Sequence, residues 1–281
     1  MRGIGPAGIL LAAAALTSCR HAAVPRPSAV TLEASQATPG TRVDVPDEIR
    51  QYLNHKGFHW NCNQTTHFLL CYQPGSPAEH SIKDLEIIAE EDRNTILQMI
   101  GVQSYDNRIY AFFLKSRKEL KRLIGFYGDG RSRPAQHATF YVIDGPRTLA
   151  HEMAHEILSN LWGAAQPWVE EGMAVYTTEF PILDFDVRAY YAAHQLLPLE
   201  TLVNPDWESS MYSADITYTE LGSFLKYLET KYGIKKIEQV WRGGSQSIPQ
   251  VYEKSLTDLE KEWLETLSKP AAAPRTLIFR N

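Results

Sequence analysis

His151, Glu152 and His155 carry the chemistry most readily read from this sequence. On a helix, residues i and i+4 project from one face, so the two imidazoles can converge on a single zinc ion. Glu152 follows the first histidine directly, which places it to reach the water on that ion rather than the ion itself. There its carboxylate can take the water's proton and return it to a leaving amine. That is the chemistry of amide hydrolysis. It demands a helix through residues 151–155, a third protein ligand and an open fourth position on the metal.

The third ligand is sought downstream, in Trp168-Val169-Glu170-Glu171-Gly172-Met173-Ala174. Spacing alone does not separate the adjacent carboxylates Glu170 and Glu171. The segment resembles the Trp-x-x-Glu-Gly-x-Ala stretch that opens the second active-site helix of the gluzincin zinc peptidases. In that family the glutamate before the glycine is the ligand, which implies Glu171. Fifteen residues lie between His155 and Glu171, a short gap similar to that of the peptidase MA-like group of exported bacterial proteins. The run from Tyr218 to Gly233 resembles the tyrosine-led helix of that group, and Leu256 to Leu267, with Trp263, resembles its closing helix. The resemblance covers residues 138–268. It implies one zinc ion held by His151, His155 and Glu171, with Glu152 as base and a peptide or protein substrate. Tyr218, or else Tyr212, would donate to the oxyanion that develops. Tyr218 also falls in step with Leu221 and Leu225, so a place in an apolar stripe is the competing reading.

These residues need a scaffold, and the pattern around them predicts one. Between residues 45 and 145 strands and helices alternate. The extended runs are His67–Tyr72, Arg108–Leu114 and Ala138–Ile143. A helix is predicted over Asp84–Ile100, and Ser116-x-x-Glu119 is a capping box that opens another, ending at Gly125. Gly128-Asp129-Gly130 reads as a turn; Arg131–Arg133 reads as a solvated loop, with binding of an acidic substrate or a phosphate as the competing reading. Beyond Gly145 the pattern is helical: Pro146 to Trp162, a helix from Pro167, Thr217–Lys231 and Leu256–Leu267. His194 lies in a predicted helical stretch, Arg188–Leu196, and reads as a surface or packed histidine. His55, His59, His67, His80 and His137 have no spacing that points to ligation.

The chain begins with Met1-Arg2 and an apolar run from Ile4 to Leu16, too short to span a bilayer but suited to a signal peptide. Leu16-Thr17-Ser18-Cys19 resembles a bacterial lipobox, which implies cleavage before Cys19, acylation of Cys19 and a lipid anchor in the cell envelope. Arg20 is not the aspartate associated with inner-membrane retention, so the outer membrane, facing the periplasm, is the expected location. In an oxidising compartment Cys62 and Cys71, nine residues apart around a predicted turn, are expected to form a disulfide. The 281 residues, 44% hydrophobic and 11% aromatic, exclude general disorder. A net charge of −5 excludes a global pull onto nucleic acid, and three cysteines are too few for a disulfide scaffold.

The expected organisation is a signal peptide over 1–18, a flexible tether over 19–45, a peptidase MA-like domain over 46–268 and a loose tail over 269–281. Within the domain, an α+β upper lobe (46–144) with a small mixed sheet would face a helical zinc-binding lobe (145–268), with the active-site helix between them. Ala138–Ile143 is expected to be the edge strand beside the cleft, where a peptide could add to the sheet. Two other readings use the same residues: a zinc hydrolase of a nonpeptide amide such as a cell-wall bond, and a noncatalytic envelope lipoprotein that retains the zinc site.

Overall fold

Three strands of the upper half are apolar at nearly every position, the mark of a sheet covered on both faces, and two polar strands flank them. In the computed structural model, which describes residues 44–142, 146–179, 183–204 and 214–268, they form one five-stranded mixed sheet. Residues 1–43, with Cys19, as well as Ile143, Tyr212 and the tail from 269 lie outside the described residues, and Val45, at the end of the expected tether, is buried in the sheet's smaller core. The strands are β1 (Asn61–Gln64), β2 (Phe68–Tyr72), β3 (Ile109–Leu114), β4 (Gly130–Arg133) and β5 (Ala138–Val142), in the order β1-β2-β3-β5-β4. The two central pairings, β2 with β3 and β3 with β5, are parallel; each outer strand is antiparallel to its neighbour.

Period-two alternation sends successive side chains into two different cores. Phe68, Leu70, Ile109, Phe113 and Tyr141 face the large core shared with the helical half. Leu69, Cys71, Phe112, Leu114 and Phe140 face a smaller core closed by α1 (Asp47–Leu53) and α3 (Arg117–Ile124). Ser116 caps α3, its hydroxyl accepting from the Glu119 amide, and Gly125 ends it at a φ of 80°, where glycine has no Cβ penalty. The disulfide Cys62–Cys71 joins directly paired positions of β1 and β2.

The remaining helices are α2 (Pro77–Met99), α4 (Pro146–Trp162), α5 (Pro167–Glu179), α6 (Leu183–Ala192), α7 (Leu199–Leu202), α8 (Ala214–Tyr232), α9 (Ile234–Gly243), α10 (Ile248–Tyr252) and α11 (Leu256–Leu267). Among the described residues, no helix is long and apolar enough to cross a membrane. The architecture is mixed α+β.

Four sequence expectations are corrected. Residues 130–133 form β4 rather than a solvated loop, because their backbone pairs with β5 from Gly130↔Tyr141 to Arg133↔Ala138. Consequently β5 is not the edge strand: β3 and β4 occupy both of its sides, and β4 is the edge. His194 lies beyond the end of α6, at a φ of 54°, rather than within a helix. The helix expected from Asp84 also starts earlier, at Pro77, where a proline at the first position costs no hydrogen bond.

Candidate metal centre

α4 is a two-sided helix. Met153, Ala154, Ile157 and Leu158 are fully buried and fix it in the core, while His151 and His155 turn toward a cleft. Its C-terminal end is secured by α9. Trp241 Nε1 donates to the Gly163 carbonyl at 2.7 Å and Arg242 Nη1 to the Trp162 carbonyl at 2.8 Å, acceptors that no intrahelical donor reaches.

α5 is buried through Trp168, Val169, Met173 and Ala174. The glycine after Glu171 has a local reason. A Cβ on Gly172 would lie 2.8 Å from Leu225 Cδ1 and 3.1 Å from Leu221 Cβ, so α8 can pack this closely only on a bare backbone. The two adjacent glutamates diverge. Glu170 Oε1 turns back to accept from the Ala165 amide at 3.0 Å, whereas Glu171 Oε2 stands 3.2 Å from His151 Nε2 and 3.5 Å from His155 Nε2. The two imidazole Nε2 atoms are 3.2 Å apart.

This triangle can be tested against a metal. Donor atoms about 2.0–2.1 Å from a tetrahedral zinc ion lie about 3.3 Å from one another. The three separations, 3.2, 3.2 and 3.5 Å, fit that requirement. His151, His155 and Glu171 are also the group among the described residues that could hold a metal ion. Two imidazoles and one carboxylate suit zinc.

The carboxylate and the two imidazoles shift one another's proton affinity. Burial pushes the Glu171 carboxyl up, but hydrogen bonds from His151 and His155 outweigh it and hold the group below the usual carboxylate range. Burial pulls His155 down, while Glu171 raises it to a net increase. Glu152 is 8% exposed and is pushed up by burial, with His155 and His151 pulling the other way.

Glu152 owes its position to Gly130. A Cβ on that residue would come within 2.6 Å of Glu152 Oε1, 2.7 Å of its Cγ and 2.8 Å of Thr148 Cγ2. The side chain of the candidate base therefore lies directly on the backbone of β4. Gly130, Arg131 and Ser132 line the cleft, whose volume is about 1600 Å³. Tyr218, on α8, also lines it, its ring stacked at 6.5 Å from that of His151.

One cluster was not legible from spacing. Glu156 is fully buried, and its Oε1 accepts from Tyr105 Oη at 2.8 Å and Asn160 Nδ2 at 3.0 Å, with His137 Nδ1 at 2.9 Å. Burial raises the Glu156 carboxyl to about 7, and the hydrogen bonds from His137 and Tyr105 oppose that rise. The network ties α4 to the sheet one residue past His155. The available signal was an acidic residue on a helix face otherwise made of Met153, Ala154 and Ile157, since a buried carboxylate needs partners. His67 also has a partner, Glu90, at 2.6 Å, and serves the β1–β2 turn.

No family model and no curated protein matches the chain. Among solved structures, native yeast LTA4 hydrolase is similar at 16% sequence identity and a TM-score of 0.47, over 77% of this chain and 40% of that one. The chain thus spans about two fifths of that protein's length, and a likeness of this degree carries no argument about family or activity.

Proposed function

We propose that this chain is a zinc-dependent metallopeptidase of the gluzincin type, related to the peptidase MA-like proteins. The observation that carries the reading is the mutual spacing of His151 Nε2, His155 Nε2 and Glu171 Oε2, 3.2–3.5 Å, with Glu152 of the same helix α4 lying against the backbone of β4. Zinc, when bound by these three residues, supplies Lewis-acid polarisation and makes a water acidic enough to lose a proton near neutral pH. Glu152 accepts that proton at its carboxylate and delivers it to the departing amine nitrogen. Its burial limits the access of bulk water to that proton. We assign the oxyanion donor to Tyr218, whose ring stacks on that of His151 in the cleft.

A peptide substrate is favoured over other amides by the edge strand. β4 has a partner on one side only, and its other side borders the cleft, so an extended peptide can pair with its backbone. Glu152 weighs against a purely binding role, since a site that only retains metal has no use for a buried carboxylate in that place. We further place the protein in the cell envelope, acylated at Cys19 and facing the periplasm, on the strength of Leu16 to Cys19. A library of internally quenched peptides, incubated with the zinc-loaded protein and with Glu152→Gln, tests the activity. The expected result is zinc-dependent cleavage that falls by about 10²–10⁴ in Glu152→Gln. Cleavage of cell-wall fragments with all peptides untouched would move the reading to the nonpeptide alternative.

A further inference from the structure

Among the described residues that line the cleft, Arg131 is the single Lys or Arg, Phe126 stands beside it, and the carboxylates are Asp129, Glu152, Glu170 and Glu171. Arg131 is exposed on β4, its guanidinium 5.2 Å from the Phe126 ring centroid, and among the described residues it forms no ion pair. The nearest acid in sequence does not quench it. Asp129 is held by Arg117, whose Nε and Nη2 donate to its two carboxylate oxygens at 2.5 and 2.6 Å. Phe126 and Tyr127 are 36% and 58% exposed, two of the three large apolar side chains left open to solvent among the described residues. An unpaired guanidinium held over an open aromatic ring at a cleft wall suits an acidic group with apolar surface next to it.

We propose that Arg131, backed by Phe126, is a specificity-determining contact for a carboxylate of the bound peptide. This rests on the peptide-hydrolase reading above. The carboxylate has two possible sources, an Asp or Glu side chain or the peptide's own C-terminus, and the guanidinium recognises the chemistry they share.

The test uses the zinc-loaded full chain carrying Glu152→Gln, so that bound peptides persist. Fluorescence anisotropy is measured with matched peptides that differ only in Asp or Glu against Asn or Gln, or in a free against an amidated C-terminus. The acidic member of at least one pair should bind about three- to tenfold more tightly. Half-molar salt should shrink the ratio. Adding Arg131→Gln should bring the ratio to about one and Arg131→Glu should invert it. Lys118→Gln, a change to an exposed cation on α3, should leave it in place. Which pair responds assigns the source of the carboxylate. Equal binding of all pairs, or a preference that survives Arg131→Gln, overturns the proposal. Arg131-dependent binding to phosphatidylglycerol vesicles without any peptide preference also overturns it, and assigns the patch to a lipid surface. Cleavage by the protein with Glu152 intact is scored separately. An Arg131-dependent preference without cleavage retains the contact and withdraws only the hydrolysis.

Discussion

Alanine at position 130 would place a methyl group where the Glu152 side chain now lies. The added Cβ would sit 2.6 Å from Glu152 Oε1, 2.7 Å from its Cγ and 2.8 Å from Thr148 Cγ2. Ordinary contact begins at about 3.5 Å, so Glu152 must retreat by roughly 0.7–0.9 Å or β4 must shift. Overpacking of this kind costs about 1–3 kcal/mol of stability. A base displaced by close to 1 Å loses about 10²-fold in rate, equivalent to about 2.7 kcal/mol at the transition state. The His151, His155 and Glu171 donor atoms are not among the atoms that the methyl meets, so zinc content should hold. The assay is kcat/KM on a cleaved peptide, with zinc per chain and the urea midpoint measured on the same preparation. A Gly130→Ala protein with full turnover would refute the argument that the bare backbone of β4 seats the base. Loss of zinc in parallel with activity would refute the separation of base from ligands.

Three further outcomes are expected. Glu220 is fully buried, and burial raises its carboxyl to about 8, opposed by the Leu197 amide and assisted by Glu260. Because the folded value exceeds the unfolded one, its contribution is complete below about pH 4.5 and is lost as pH rises through about 8, on the order of 5 kcal/mol at most. Glu220→Gln should therefore gain stability over the parent between pH 5 and pH 9 in urea unfolding, and a pH-independent difference would contradict the sign. Replacing Cys62 and Cys71 by alanine reopens a nine-residue separation and should cost about 2–3 kcal/mol without releasing zinc; metal loss on reduction alone would contradict a structural role for β1. Cys19→Ala should leave the protein unacylated and shift it from the membrane fraction, whereas unchanged N-terminal mass and fractionation would remove the anchor.

The candidate metal site was legible because its geometry is local. A four-residue spacing on one helix fixes where His151 and His155 point, and a glycine after Glu171 marks the close approach of α8. The amphipathic stripes of α8 and α11 declared themselves in the same way. β4 did not, because Gly130-Arg131-Ser132-Arg133 has no apolar alternation. Its strand character comes wholly from pairing with β5, and the edge of the sheet was therefore placed one strand too far in. α9 and α10 also went unread, although Trp241 and Arg242 on α9 secure the end of α4. Long-range hydrogen bonds such as those joining Tyr105, His137 and Glu156 leave no periodicity to find.

The choice between Glu170 and Glu171 joins sequence, geometry and chemistry at one point, and it can be measured directly. Zinc per chain is determined after dialysis for the parent, His155→Ala, Glu171→Ala, Glu170→Ala and Glu152→Gln. The account predicts about one zinc in the parent, in Glu170→Ala and in Glu152→Gln, and little in His155→Ala or Glu171→Ala. A Glu171→Ala protein that keeps its zinc while Glu170→Ala loses it would contradict the ligand set and, with it, the proposed hydrolytic centre.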